Sequence, residues 1–358
     1  MTATAPALSV LDLVPVRTAQ SSADAIAASL DLAQCADELG MRRYWFAEHH
    51  NMPAVASTSP PVLIAAAAAR TSSIRIGSGG VMLPNHAPLI VAEQFAALEA
   101  LAPGRIDLGL GRAPGSDPVI TQLLRAGGHG GDVEQFPQHV DDIGLMLDPE
   151  GATIEFTSGG RYSVHSTPAA LTAPQIWLLG SSNYSAQLAA SRGLPYVFAN
   201  HFAGLGLERA LDIYRSQFQP SEQYREPVTF LTANVVAAPT QEEAEDRALP
   251  QLRMMARLRL NRPLRALDTI EQAHEGLARA DDKEKQVVEA ARARWFVGTG
   301  QDVAQQVRDF ATEHGVDEVM VSPIAGSYAA EPQRTAPGRR QTLQLLADEL
   351  GARQPAGS

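Results

Sequence analysis

The chain has 358 residues, 45% of them hydrophobic and 19% charged, which is enough apolar material for a sizeable core. Its 29 basic residues stand against 40 acidic ones, and a net charge of -11 repels phosphate backbones, which argues against nucleic acid as the main partner. The single cysteine, Cys35, excludes an intrachain disulfide and fits a reducing cytosol, so a cytoplasmic location is expected.

Cys35 lies in a helical pattern and reads as a small buried hydrophobe. The first residues lack a basic stretch before an apolar run, so no signal peptide is expected. The longest apolar stretch, Pro60 to Ala69, is far shorter than the ~20 residues of a membrane span.

Residues 8–14, LSVLDLV, predict a buried strand that stops at Pro15. Helical spacing over 22–39 leads to Gly40 at the position of a C-terminal glycine cap. RYWFAEHH predicts a second strand, VLIAAAAAART a helix, and IRIGSGGVML a third strand. Residues 88–101 are helical again, PGR is a turn, and IDLGLG is a fourth strand ending in the glycine-rich RAPGSD. Residues 113–173, with GGHGGD, DPEG and TSGGRY, break the rhythm and predict an insertion of loops with one helix near 134–147. Order resumes with the strand PQIWLLG, the helix SAQLAASR and the strands LPYVFAN and VTFLTANVVAA. Residues 240–295 predict a charged, solvated outer helix pair, with a mobile lid as the other reading. FVGTGQDVAQQVRDFATEHGVDEVMVS supplies a last helix and a last strand, and a terminal helix falls near 340–350.

About eight strands, each followed by helical material at roughly 30-residue spacing, predict parallel βα units. An eight-stranded parallel sheet can close on itself, so the expected fold is one α/β domain over 1–358, a (β/α)8 TIM barrel with insertions near 113–173 and 240–295. An open doubly wound sheet is the alternative, but the first βα turn, VPVRTAQSS, lacks its glycine fingerprint.

In such a barrel the chemistry sits at the C-terminal ends of the strands. Those ends carry Asp12; Glu48, His49 and His50; Ser78, Gly79 and Gly80 with Asn85 and His86; Gly111, Arg112 and Ala113; Gly180, Ser181, Ser182 and Asn183; and Asn200 with His201. In Glu48-His49-His50, alternation puts Glu48 and His50 on one side and His49 on the other. That arrangement suits a general base better than a metal site, and H-E-x-x-H is absent, so no metal is expected; a purely structural histidine remains open. The glycines of GSGGV predict either a bulge or a close approach of backbone to a flat ligand. Ser181, Ser182 and Ser185 begin a helix, where they either cap it or hold an anion. Arg112 at the preceding strand end tips the balance towards a phosphate. Neither a G-x-S-x-G elbow nor a G-x-x-x-x-G-K-[ST] loop is present, which argues against serine hydrolysis and P-loop chemistry.

FAEHHNM, IGSGGVMLPNHAPLIVAEQFAALEALAPGRIDLGLGRAPGSD and WLLGSSNYSAQLAASRGLPYVFANHF resemble the bacterial luciferase-like flavin monooxygenases, and within them a bacterial branch. The likeness runs from Leu8 to about Pro323 and is strongest over 42–118 and 174–202. It implies a homodimeric barrel that binds FMN, or the deazaflavin F420. It implies that His49 is the catalytic histidine, that Arg112, Gly180, Ser181, Ser182 and Ser185 hold the cofactor phosphate, and that Gly79-Gly80 is the pair where the family often has a cis peptide beneath the flavin. The implied reaction uses reduced FMN from a separate flavin reductase and O2, through a C4a-hydroperoxyflavin, to oxidise a small organic substrate. Trp45, Val81, Met82 and Trp177 either shape the substrate pocket or pack the barrel. An F420-dependent oxidoreductase and a flavin-binding protein without turnover are the alternatives.

Overall fold

A computed structural model of the chain describes residues 5–126, 133–202 and 205–351. The GGHGGD segment therefore lies outside the described residues. The first apolar run forms β1 (Ala7–Asp12), and α1 (Ser22–Glu38) starts at Ser21, whose side chain accepts from the Asp24 N–H. Gly40 follows in the left-handed conformation that glycine adopts freely. The chain continues through β2 (Arg43–Phe46), α2 (Pro60–Ala68), β3 (Arg75–Met82), α3 (Pro88–Leu101) and β4 (Ile106–Gly111). The insertion holds α4 (Pro118–Arg125), α5 (Phe136–Leu147) and an antiparallel hairpin of β5 (Ala152–Glu155) and β6 (Arg161–Val164). Next come β7 (Gln175–Gly180), α6 (Asn183–Arg192), β8 (Tyr196–Phe198), α7 (Leu207–Gln217) and β9 (Thr229–Ala238). The last third contains α8 (Gln241–Arg259), α9 (Ile270–Ala278), α10 (Asp282–Arg292), β10 (Phe296–Thr299), α11 (Gly300–His314), β11 (Glu318–Pro323) and α12 (Pro337–Leu350).

Eight parallel strands close in the order β1, β2, β3, β4, β7, β8, β9, β11 and back to β1. This is the (β/α)8 barrel expected from the sequence, and the open sheet is excluded by the β1–β11 pairing. β9 is ten residues long, and its second half pairs with β10 along the edge that the short β8 leaves free. The sequence reading missed β10, whose four residues are too few to show a pattern, and it missed the exposed hairpin.

Residues 240–295 differ more. They form three helices, and α8 is substantially buried. Val236, Ala248, Leu252, Met255 and Trp295 belong to one apolar cluster, and Arg253 is buried against Asp268 and Glu284. A solvated outer pair is therefore wrong here; the arginines look surface-like in sequence because their carboxylate partners come from distant positions.

Inside the barrel, alternate residues of each strand stack in layers. The lowest layer is ionic: Arg43 bridges Asp107 and Glu318, and Ser9 donates to Glu318. Above it, Trp45 packs edge to face on Trp177 and Phe230, which are tilted against each other, with ring centroids 5.0–5.7 Å apart. Trp45 and Trp177 are buried in this packing and serve as barrel core, whereas Val81 is buried in a separate apolar cluster with Phe95 and Leu110, and Met82 is only partly buried. The alternation that puts Trp45 inside carries on to Ala47 and His49.

Candidate active site

At the end of β2, Glu48 turns away from the barrel interior and is fully buried. Its Oε1 accepts from Nε2 of His50 and of His86, each at 2.8 Å, and its Oε2 accepts from the Met82 N–H at 2.9 Å. Burial alone would raise the pKa of this carboxyl; the hydrogen bonds from His50 and His86, with that from Met82, outweigh it and bring it down to about 2. An ionised carboxylate only accepts, so both imidazoles carry their proton on Nε2. Glu48 and His50 share a side, as alternation predicts, and His49 takes the other.

The His49 backbone N–H is held by the Ser57 carbonyl at 2.9 Å. Its Nδ1 is buried and meets no hydrogen-bond partner among the described residues. Burial pushes the imidazole pKa down, Glu48 pulls it up, and His50 pushes it down. A neutral imidazole with an unused ring nitrogen can take or give a proton.

Gly79 and Gly80 sit on β3 beside this histidine, and the peptide between them is cis. The register with β4 slips between Gly79 and Val81, so the segment is also the bulge that the glycines suggest. A Cβ on Gly79 would come within 2.6 Å of Leu11, and one on Gly80 within 2.7 Å of the Gly109 carbonyl. Only bare backbone fits here.

β4 and β7 are neighbours with Gly111 opposite Leu179, so Arg112 and Gly180 leave the barrel side by side. The Arg112 guanidinium lies over the Tyr184 ring, 4.0 Å from its centroid, at the first turn of α6. No carboxylate pairs with Arg112 among the described residues. Ser182 is the N-cap of α6, yet its side chain makes no capping hydrogen bond. Plain serine capping, the competing reading of this turn, is therefore absent, and the amides of the first turn keep their affinity for an anion. Ser181 and Ser182 are exposed, whereas Ser185 is buried against Gly180. A Cβ on Gly180 would lie 2.1 Å from the Ser185 hydroxyl, so this glycine lets the helix start close to the strand.

Other strand-end residues have structural work. Asp12 is buried and bound by Arg339, Tyr44 and the Val14 N–H, away from the site. Ser78 cross-links to Gly109. The sequence reading missed Tyr184, although an aromatic directly after a Ser-Ser-Asn turn is a visible candidate to cover an arginine. It also gave no role to His201, which the structure places at the mouth near His49.

These features meet a consistent set of similarities. The model of the luciferase-like monooxygenase family matches residues 8–318. A luciferase-like monooxygenase of Escherichia coli K12 is 40% identical over 323 residues, covering 88% of this chain and 91% of that protein. The crystal structure of apo-MsnO8 superposes with a TM-score of 0.84 at 31% identity, covering 98% of this chain and 99% of that one. The oxygenating constituent of 3,6-diketocamphane monooxygenase from Pseudomonas putida, solved in complex with FMN, shares the fold at 18% identity, with a TM-score of 0.69 and coverage of 97% and 98%. With a match across most of its length, the chain belongs to the luciferase-like monooxygenase family and is an oxidoreductase.

Proposed function

We propose that the chain is a flavin-dependent monooxygenase that takes reduced FMN from a separate flavin reductase and oxidises a small organic substrate with O2. The observation that carries this is Arg112: a guanidinium with no carboxylate partner among the described residues, stacked on Tyr184 beside an uncapped helix start. A group of that kind, in a chain of net charge -11, awaits an anion.

The residues fit FMN. Arg112, the Gly180-Ser181-Ser182 turn, Ser185 and the first amides of α6 would hold its phosphate. Gly79-Gly80 offers side-chain-free backbone to a flat ring. When bound, reduced FMN supplies the electrons for activating O2. His49, kept neutral by burial, accepts a proton from the substrate side or returns one. The Trp45, Trp177 and Phe230 layer excludes water from beneath. The same proposal includes a homodimer, as the family resemblance implies, and a cytoplasmic location, as the single cysteine suggests.

The test is a titration of the protein with FMN and, separately, with F420, followed by quenching of tryptophan fluorescence. We expect micromolar FMN binding that Arg112→Ala weakens at least tenfold, and His49→Ala to slow product formation while flavin affinity stays nearly intact. Binding of F420 in place of FMN would replace this reading with the hydride-transferring alternative. Binding of neither would end both.

A further inference from the structure

The turn that carries Arg112 away from β4 is stitched to its neighbours at two points. Asn85 ends a short 3-10 turn, Leu83–Asn85, that follows β3, and its side-chain amide donates to the Pro114 carbonyl at 2.8 Å. The His50 backbone N–H, just beyond β2, donates to the Gly115 carbonyl at 3.1 Å. Gly115 has a φ of 62°, and a Cβ there would come within 2.9 Å of the Glu48 carbonyl, so the turn also packs directly on the chain leaving β2. The ends of β2 and β3 are in turn tied together by the Glu48 carboxylate, which accepts from the Met82 N–H and from His86. Three consecutive strand ends, carrying His49, Gly79-Gly80 and Arg112, thereby form one hydrogen-bonded frame.

Asn85 is buried, with 7% of its surface exposed. A carbonyl only accepts, so the amide nitrogen faces Pro114, and the Oδ1 is buried with no hydrogen-bond partner among the described residues. An acceptor left dry in this way is unfavourable, and an apolar residue would fill the space without it. Packing therefore does not account for the asparagine; the bond it donates does. That bond ends two residues from Arg112. No carboxylate among the described residues aims the Arg112 guanidinium, which rests on the Tyr184 ring, 4.0 Å from its centroid. A long side chain held on one face loses rotamer freedom, so the backbone beneath it has to be fixed for the stacking to persist.

We propose that Asn85 is the positioning residue of the phosphate site: its bond to the Pro114 carbonyl fixes the turn after β4, and through that turn it holds the Arg112 guanidinium where a phosphate monoester binds. The role needs no contact between Asn85 and the flavin. The inference rests on reading Arg112 as the phosphate ligand, and it makes Asn85 matter for a flavin that carries a phosphate and not for one that lacks it.

The test measures the affinity of the full chain for FMN and for riboflavin, which is FMN without its phosphate, by quenching of tryptophan fluorescence. The unaltered protein should bind FMN at least about tenfold more tightly than riboflavin, and Arg112→Ala should abolish that preference. Asn85→Ala should weaken FMN about fivefold and riboflavin less than about twofold. Added to Arg112→Ala, it should weaken FMN by less than about twofold more, because its effect passes through the arginine. Equal losses for the two flavins would make Asn85 a general structural residue and overturn the proposal, as would an unchanged FMN affinity or a full further loss in the double variant. Asn85→Leu, which refills the space that alanine empties, repeats the comparison if Asn85→Ala does not melt cooperatively; if neither variant does, the residue serves the fold and the proposal falls. A preference for FMN that is absent from the unaltered protein, or that survives Arg112→Ala, strikes the reading of Arg112 and this proposal with it. A preference lost in Arg112→Ala and kept in Asn85→Ala strikes this proposal alone.

Discussion

Individual residues set the terms of this site through contacts of a few ångströms. Gly180 is one: its missing side chain lets Ser185, and with it the start of α6, sit against the end of β7. Gly180→Ala should displace that helix start, cost about 1–3 kcal/mol in urea unfolding, and weaken FMN binding at least tenfold. Unchanged affinity would mean that the turn is not part of the anion site. His201 makes a second prediction, in pH. Its pKa falls from 6.5 to about 4 on folding. Between those values the unfolded chain binds a proton that the folded one does not, so stability must drop as pH falls from about 6.5 to 4. A full proton difference corresponds to about 1.4 kcal/mol per pH unit. Glu48, lowered from 4.5 to about 2, contributes above its ordinary value and loses that contribution only below it. Urea midpoints between pH 4.5 and 7.5 therefore report mainly on the histidines, and His201→Asn should flatten the slope. A slope identical to wild type would contradict the buried, neutral assignment.

At the scale of elements, the strands were readable because a strand buried on both faces is a continuous apolar run that ends in polar residues. LSVLDLV, IDLGLG and PQIWLLG all fall where β1, β4 and β7 form. Alternation likewise assigned His49 to one side and Glu48 with His50 to the other. What could not be read was partnership across distance. Nothing local announces that His86 shares a carboxylate with His50, or that Arg253 of α8 is buried. Arg253 joins Asp268, which precedes α9, to Glu284 of α10, and Gly276 of α9 leaves room for its guanidinium. Removing it as Arg253→Ala strands two buried carboxylates and should cost about 3 kcal/mol or more. Chemical denaturation would measure this, and a loss below about 1 kcal/mol would show that Arg262 and Arg265, which share those acids, suffice.

For the molecule as a whole, the two ends of the chain depend on each other. β1 pairs with β11 to close the barrel, and α12 then packs Leu343 and Leu346 into the common core. Arg339 of α12 reaches Asp12 and the Pro323 carbonyl, while the Thr342 hydroxyl bonds the Ala237 carbonyl of β9. Arg17 holds the Tyr328, Glu331 and Pro332 carbonyls on the same side. Deleting residues from Pro337 onward should abolish the cooperative thermal transition; a truncated chain that still melts in one sharp step would show the barrel closing without its last helix.

The ion pairs of Arg43, Asp107 and Glu318, with the three rings above them, have a kinetic consequence. They make the cylinder a blind-ended vessel with one doorway. If cofactor and substrate share this vessel as proposed, the one seated deeper is expected to arrive first and depart last, and product-inhibition patterns would read that order.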